Sequence, residues 1–287
     1  YHQIHGRPWG TSTRRKRLVT AVDITNPPGV QAVVRLYTRI LSGFSVPGRN
    51  MNGILVTGTD TGVGKTIVCG LLAGFLHERG WQVTTQKPVQ TGCAERPEDL
   101  DVHSRLMGER PAEPGTDTMR LRCPYLFRLP ASPHLAAAQE GTEVDPSVIG
   151  NAFENLASNH DIVLMEGAGG VLVPLTEDLL IGDLAAHLGL AALVVVHNTL
   201  GCINHSLLTV EALESRNIPI VGLVFNSTAR QDPDAIQRDN PRIITRASGV
   251  PLLGEFPFVK NPLEHRQEFE PIGEAFLRSW KGLQRHE

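Results

Sequence analysis

Aromatic residues make up only 5% of this 287-residue chain, cysteines number four, and positive charge is not in surplus, the formal net charge being -3. That charge excludes a globally basic nucleic-acid binder and gives no particular affinity for membranes. Long hydrophobic runs are also missing. The longest near-continuous apolar stretch, Leu188 to Val196, has nine residues and includes a glycine, whereas a membrane-spanning helix needs about 20. Cys69, Cys93, Cys123 and Cys202 lie 24, 30 and 79 residues apart, which fits no zinc or redox spacing. They read as free thiols in a reducing compartment. What is present is an ordinary soluble composition, 41% hydrophobic and 20% charged, expected of a cytoplasmic globular protein without nucleic-acid or membrane partners.

Charge is unevenly placed. Residues 1–50 hold eight Lys/Arg and a single acid, Asp23, leaving 19 bases against 29 acids in the remainder. A methionine stands at 51, directly before a strong strand signal. Residues 1–50 are therefore expected to be a basic N-terminal extension outside the domain: a cloning-derived or upstream-translated leader, a transit-like segment, or native structure. Residues 51–287 are expected to form one domain.

From Met51 onward short apolar runs alternate with helical stretches. Gly53–Thr57 reads as a strand and Lys65–Arg79 as the helix after it, with a weaker strand at Gln82–Lys87. Ile162–Met165, Ala192–Val196 and Ile220–Phe225 are nearly pure aliphatic runs. Continuous rather than alternating apolarity indicates strands covered on both faces, as in a parallel sheet between helical layers. Helices are expected over 148–158, 183–188 and 204–216. Six prolines between Arg96 and Pro133 point to a mostly irregular segment there. The fold class is α/β: a doubly wound, mostly parallel sheet flanked by helices in a single domain.

The strongest motif follows the first strand: Gly58-Thr59-Asp60-Thr61-Gly62-Val63-Gly64-Lys65-Thr66. A glycine-rich turn between strand and helix aims backbone N–H groups at one point, and the helix dipole adds positive potential there. Lys65 can reach terminal phosphates and the Thr66 hydroxyl can ligate Mg²⁺, the pattern of a P-loop NTPase. Thr59 stands where the first glycine of G-x-x-x-x-G-K-[ST] belongs, and a bland glycine turn is the alternative. Glu166 follows the aliphatic run Ile162–Met165 and opens Glu166-Gly167-Ala168-Gly169-Gly170, at the strand edge where ligands gather in α/β sheets. It is a candidate metal carboxylate, against a surface acid before a flexible loop. Of Asp99 and Asp101, Asp101 is taken as the second ligand, though either can be a solvated loop acid. Lys87 ends the second strand. Such lysines are usually solvated, but one beside a P-loop can neutralise a transferring phosphoryl group. Gly201-Cys202-Ile203-Asn204-His205 opens a helix whose free N–H groups can hold an anion, and His205 reads more simply as packed or capping. Asn226, ending the strand Ile220–Phe225, lies where a base can be read.

These segments, with Lys87-Pro88-Val89 and Ser132-Pro133-His134, stand in an order and spacing that resembles the dethiobiotin synthetase family over roughly Met51 to Glu264. Gly-Cys-Ile-Asn-His is the most specific element. The resemblance implies that 7,8-diaminononanoate is carboxylated by CO₂, that ATP phosphorylates the carbamate, and that the second amine closes the ureido ring, giving dethiobiotin, ADP and phosphate. Carried residue by residue, it implies that Gly62, Val63, Gly64, Lys65, Thr66 and Ile67 wrap the triphosphate. Thr66, Asp101 and Glu166 would hold Mg²⁺, and Lys65 and Lys87 would be catalytic. Thr91 would contact substrate. Glu166, Gly167, Ala168, Gly169, Asn226, Ser227, Pro257, Phe258, Val259 and Glu264 would contact nucleotide. It also implies a homodimer in which Gly201, Cys202, Ile203 and Asn204 bind the substrate carboxylate from the neighbouring subunit. Two departures stand out: Gly62 where some members have Glu, and Thr91 where a serine is expected. A partition-type P-loop ATPase usually carries a second lysine early in the loop, where this chain has Asp60 and Thr61. A cobyrinate- or cobyrate-type synthetase normally adds a glutaminase domain, for which the about 20 residues after Glu264 are too few.

Overall fold

The computed structural model describes residues 52–230 and 234–285. The expectation for residues 1–50 lies outside them. In chain order the elements are β1 (Gly53–Gly58), α1 (Lys65–Glu78), β2 (Val83–Gln86), β3 (Val89–Thr91), α2 (Glu98–Met107), α3 (Asp117–Arg122), β4 (Tyr125–Phe127), α4 (Pro133–Gln139), α5 (Pro146–Asn159) and β5 (Ile162–Gly170). They continue with α6 (Ile181–His187), β6 (Ala191–His197), α7 (Cys202–Glu214), β7 (Ile220–Asn226), α8 (Ala235–Ser248), β8 (Leu252–Phe256), a 3₁₀ turn (Pro262–His265) and α9 (Arg266–Gln284).

Six strands form one sheet in the order β2-β5-β1-β6-β7-β8, and every neighbouring pair is parallel. β3 and β4 pair separately, also in parallel. Ile54, Val56, Leu164, Leu193 and Val195 are fully or almost fully buried on the face that packs with α1 and α9. Their alternate neighbours Leu55, Val163, Val194 and Val196 are equally buried. This two-sided burial is why the strands read as unbroken aliphatic runs.

The segment from Arg96 to Pro133 is more regular than expected: it holds α2, α3 and β4 and meets the start of α4. The prolines punctuate these elements instead of dissolving them. Pro97 caps α2 and Pro133 is the first residue of α4, positions where a missing N–H costs nothing. α1 and α2 approach closely because Gly70 and Gly74 line the contact. A Cβ on Gly70 would lie 2.7 Å from Leu106 Cδ1, and one on Gly74 would lie 2.5 Å from the Leu106 carbonyl. No helix among the described residues is long and apolar enough to cross a membrane.

Candidate active site

The turn between β1 and α1 delivers the glycine motif to the carboxyl edge of the sheet. Gly62 (φ 75°) and Gly64 (φ 91°) both lie in the left-handed region, where a side chain is strained. At Gly64 a Cβ would also overlap the Asn226 amide, which donates to the Val63 carbonyl at 2.8 Å. α1 starts without a side-chain cap, whereas α3, α5 and α8 are capped by Thr116, Asp145 and Asp234. Its first-turn N–H groups are thus left for a ligand, and the dipole favours an anion.

Opposite this turn, β5 bulges. Val56 pairs with Glu166 and Gly58 with Gly170, so Gly167-Ala168-Gly169 oppose the single residue Thr57 and are pushed towards the P-loop. A cavity of about 710 Å³ opens there, lined among others by Gly62, Gly64, Lys65, Thr66, Ile67, Lys87, Thr91, Asp99, Glu166, Ala168 and Gly169. This volume is within the usual range for small-molecule sites.

Four charged groups set the field. Lys87 Nζ lies 2.7 Å from Asp99 Oδ2 and 2.8 Å from Glu166 Oε1. Glu166 Oε1 also accepts from Thr66 Oγ1 at 2.9 Å, and its Oε2 faces His103 Nε2 at 2.9 Å. Burial alone would lift Glu166, but Lys87 and His103 outweigh it and hold the carboxyl well below the usual carboxylate range. Burial likewise opposes charge on Lys87, yet Glu166 and Asp99 keep that ammonium above an ordinary lysine. Lys65 is different. Its Nζ donates to the Asp60 carbonyl at 2.9 Å, and burial, with repulsion from Lys87, lowers it to about 8 against the pull of Glu166 and Asp99. An anion bound against it would restore the proton.

The expected site residues take up different surroundings. Lys87 is not a solvated strand end: it is 5% exposed and clamped between carboxylates. Glu166 lies within β5 rather than after it. Asp99 reaches the cavity, while Asp101 turns away to pair with Arg96. Both sit on α2, where two residues subtend about 200°, so one helix face cannot present both. Pro257, Phe258 and Glu264 are exposed, Val259 is half-buried, and none lines the cavity. Glu264 accepts instead from Asn261 at 2.7 Å. Ser227 donates its N–H to the Phe256 carbonyl at 3.0 Å. Gly201, Ile203 and Asn204 are exposed at the uncapped start of α7, Cys202 is buried, and none of the four lines this cavity.

Two residues went unnoticed in the sequence. His103 is fully buried under Glu166. Its signal was a four-residue spacing from Asp99, legible once that segment is taken as a helix. Buried Arg122 donates to the Thr85 carbonyl (3.0 Å) and hydroxyl (2.7 Å), and its own carbonyl accepts the Lys87 N–H at 2.8 Å. Local sequence carries no sign of that.

Similarities to known proteins agree with this geometry. Residues 52–264 match the family model described as an AAA domain. The chain is 43% identical over 206 residues to the ATP-dependent dethiobiotin synthetase BioD of Chlorobaculum tepidum, covering 72% of this chain and 85% of that protein. Its identity to the BioD of an Anaeromyxobacter species is 40% over 221 residues, 76% and 95% of the two chains. For Bacillus cereus BioD it is 33% over 230 residues, 80% and 93%. Among solved structures, the MinC:MinD cell division complex of Aquifex aeolicus superposes with a TM-score of 0.51 at 16% identity, covering 81% of this chain and 96% of that one. Cyanthece apo McdA gives 0.51 at 12% identity, covering 79% and 98%. These two likenesses concern the fold alone. Identity above 30% along most of the synthetases' length, on a parallel sheet that carries a P-loop, places this chain in the family of ATP-dependent dethiobiotin synthetases.

Proposed function

We propose that the protein makes dethiobiotin from 7,8-diaminononanoate, CO₂ and ATP, releasing ADP and phosphate. The observation that carries this reading is the Lys65–Lys87–Glu166 cluster at the mouth of the P-loop, in a chain of this family. One substrate amine takes up CO₂ to give a carbamate. A carbamate oxygen attacks the γ-phosphorus, the bond to ADP breaks, and a carbamic-phosphoric anhydride forms. The second amine then attacks the carbonyl carbon, and phosphate leaves with the former carbamate oxygen. The protein's part is to place these groups and balance charge. The N–H groups of Gly62 to Ile67 cradle the triphosphate. Lys87 and Lys65 face the carbamate and the transferring phosphoryl, where cationic contacts strengthen as charge develops. Thr91, at the cavity wall, offers substrate a hydroxyl. Asn226 spends its Nδ2 on Val63, which leaves Oδ1 to accept from an adenine amino group. Exposed Pro257, Phe258 and Glu264 and half-buried Val259, with Ser227, flank the nucleotide on this reading.

The donor set fits Mg²⁺. Thr66 and Glu166 oxygens already converge at 2.9 Å, Asp99 stands on the other side of Lys87, and all three donors are oxygen, as this ion prefers. We therefore assign Thr66, Glu166 and Asp99 as its ligands, Asp99 in the place first given to Asp101. Bound Mg²⁺ would supply charge neutralisation at the phosphoryl oxygens.

We further propose a homodimer with the start of α7 at its interface. Leu200, just before the helix, is 80% exposed beside exposed Ile203 and Asn204, and Leu208, midway along it, is 53% exposed, so apolar side chains face outward near an uncapped helix N-terminus. That N-terminus can hold a carboxylate tail from across the interface. Two mutants, Lys87→Ala and an Asn204 variant, should then complement in mixed dimers, restoring roughly a quarter of sites. No gain over the parental average, with mixed dimers confirmed by mass, would rule the shared site out. The domain on this reading is 51–287, supported by the family match from residue 52. A chain starting at Met51 should keep full turnover. Four buried free cysteines support a reducing, cytoplasmic location, which fractionation would check. The primary test is a product assay: purified protein with ATP, Mg²⁺, bicarbonate and the diamine should yield dethiobiotin, and omission of any one should abolish it. ATP hydrolysis that instead needs glutamine or a partner surface would point to the amidating or partition-type alternatives.

A further inference from the structure

The two oxygens of Glu166 have different neighbours. Oε1 accepts from Thr66 Oγ1 at 2.9 Å and from Lys87 Nζ at 2.8 Å. Oε2 faces only His103 Nε2, at 2.9 Å, off hydrogen-bond alignment, and neither atom has another hydrogen-bond partner among the described residues. We infer that His103 is a positioning residue: its ring pins Oε2 from beneath and so keeps Oε1, the oxygen beside Thr66, as the one offered to a divalent cation. This rests on the Mg²⁺ reading of Glu166 given above.

The sequence supplies the means. Asp99 and His103 are four residues apart on α2 and so point within about 40° of each other. One helix thereby grips Lys87 with its first turn and Glu166 with its second. The ring can reach β5 because α1 yields at Gly70, where a Cβ would lie 3.2 Å from His103 Cα. Cys69 on α1 closes the other side: its sulfur, a His103 ring nitrogen and a Glu166 oxygen all lie within 4.8 Å of one another. Among the described residues His103 Nδ1 has no hydrogen-bond partner, and a fully buried polar atom without one is unfavourable. A leucine would fill this space without that penalty. The imidazole therefore contributes through the carboxylate it orients, as partners of metal-binding carboxylates generally do.

The test uses Mn²⁺ as probe, titrated by electron paramagnetic resonance into the ADP-saturated protein. Wild type should bind Mn²⁺ at this site. His103→Leu should weaken Mn²⁺ binding by roughly 10–100-fold, with metal-free ADP affinity unchanged and the melting temperature equal or higher. His103→Gln, whose amide nitrogen reaches the same point, should restore binding to within about threefold, a rescue that loss of packing would not produce. If the leucine variant fails to fold, His103→Asn, polar but too short to reach Oε2, takes its place with the same expectation. Wild-type Mn²⁺ affinity in the folded leucine or asparagine variant, or a folded glutamine variant that stays as weak as they are, would overturn the role of His103. Absence of Mn²⁺ binding in the wild type would overturn the metal reading itself, and this inference with it.

Discussion

Removing the Lys87 ammonium should destabilise the protein as well as slow it. The Lys87 side chain is 7% exposed, Glu166 1% and Asp99 25%. Lys87→Ala therefore leaves two carboxylates facing each other, one of them wholly buried. Breaking a buried pair from one side costs about 3–5 kcal/mol. The lower end applies, because Asp99 keeps contact with water and His103 remains beside Oε2. About 3 kcal/mol corresponds to a melting temperature lower by roughly 6–12 °C in a domain of this size. Folding holds Glu166 below its ordinary value of 4.5, so wild type gains this stability above that pH and loses it as pH falls. The deficit of Lys87→Ala should thus be largest near neutrality and shrink towards the carboxylate range. Glu166→Gln in the same background should recover much of the loss, since it removes the orphaned charge. Turnover should fall by roughly 10²–10³, the scale for one transition-state charge contact. The assays are thermal and urea unfolding of nucleotide-free protein at several pH values, beside dethiobiotin formation. A Lys87→Ala protein as stable as wild type at neutral pH, or a double variant whose losses simply add, would refute the reasoning.

Asp99→Asn should cut turnover and raise the Mg²⁺ requirement, whereas Asp101→Asn, which only frees Arg96, should leave both within about twofold; the reverse order in an Mg²⁺ titration would restore Asp101 as the ligand. Gly64→Ala should abolish ATP binding, because its Cβ displaces the Asn226 amide, while Gly62→Ala, with open space around it, should cost only the about 1–2 kcal/mol of left-handed strain; calorimetric ATP titrations of the two distinguish them. In nucleotide-free protein Lys65 should begin to react with amine-acylating reagents near pH 8, because burial lowers it to about 8 from 10.5, and ATP should move the onset upward. Onset at the ordinary lysine range without ATP, read by mass mapping, would contradict the buried placement.

The central strands were legible because parallel strands covered on both faces leave unbroken runs such as Ala192–Val196. The P-loop was legible because its function lies in contiguous backbone. Lys87 was harder. Its residue type suggests a solvated strand end, and only Glu166, 79 positions away, and Asp99 make it a buried cation. The choice between Asp99 and Asp101 turned on whether proline-flanked Glu98–Met107 is helix or loop. Prolines at element boundaries hid the answer. Asn226 shows the same limit. Its place at a strand end was expected, but its bond to Val63 spans 163 positions and exists only once β7 and the P-loop share an edge. Arg122 and His103 likewise owe their roles to packing, which local patterns do not encode.

The measurement closest to the central claim follows the oxygen that leaves with phosphate. With CO₂ labelled by oxygen-18, single-turnover reaction of enzyme, ATP, Mg²⁺ and diamine should place one label in inorganic phosphate and retain the other in the ureido carbonyl, with one ADP per dethiobiotin. Unlabelled phosphate, or ADP released without ring closure, would contradict phosphoryl transfer to a carbamate at the Lys65–Lys87–Glu166 site.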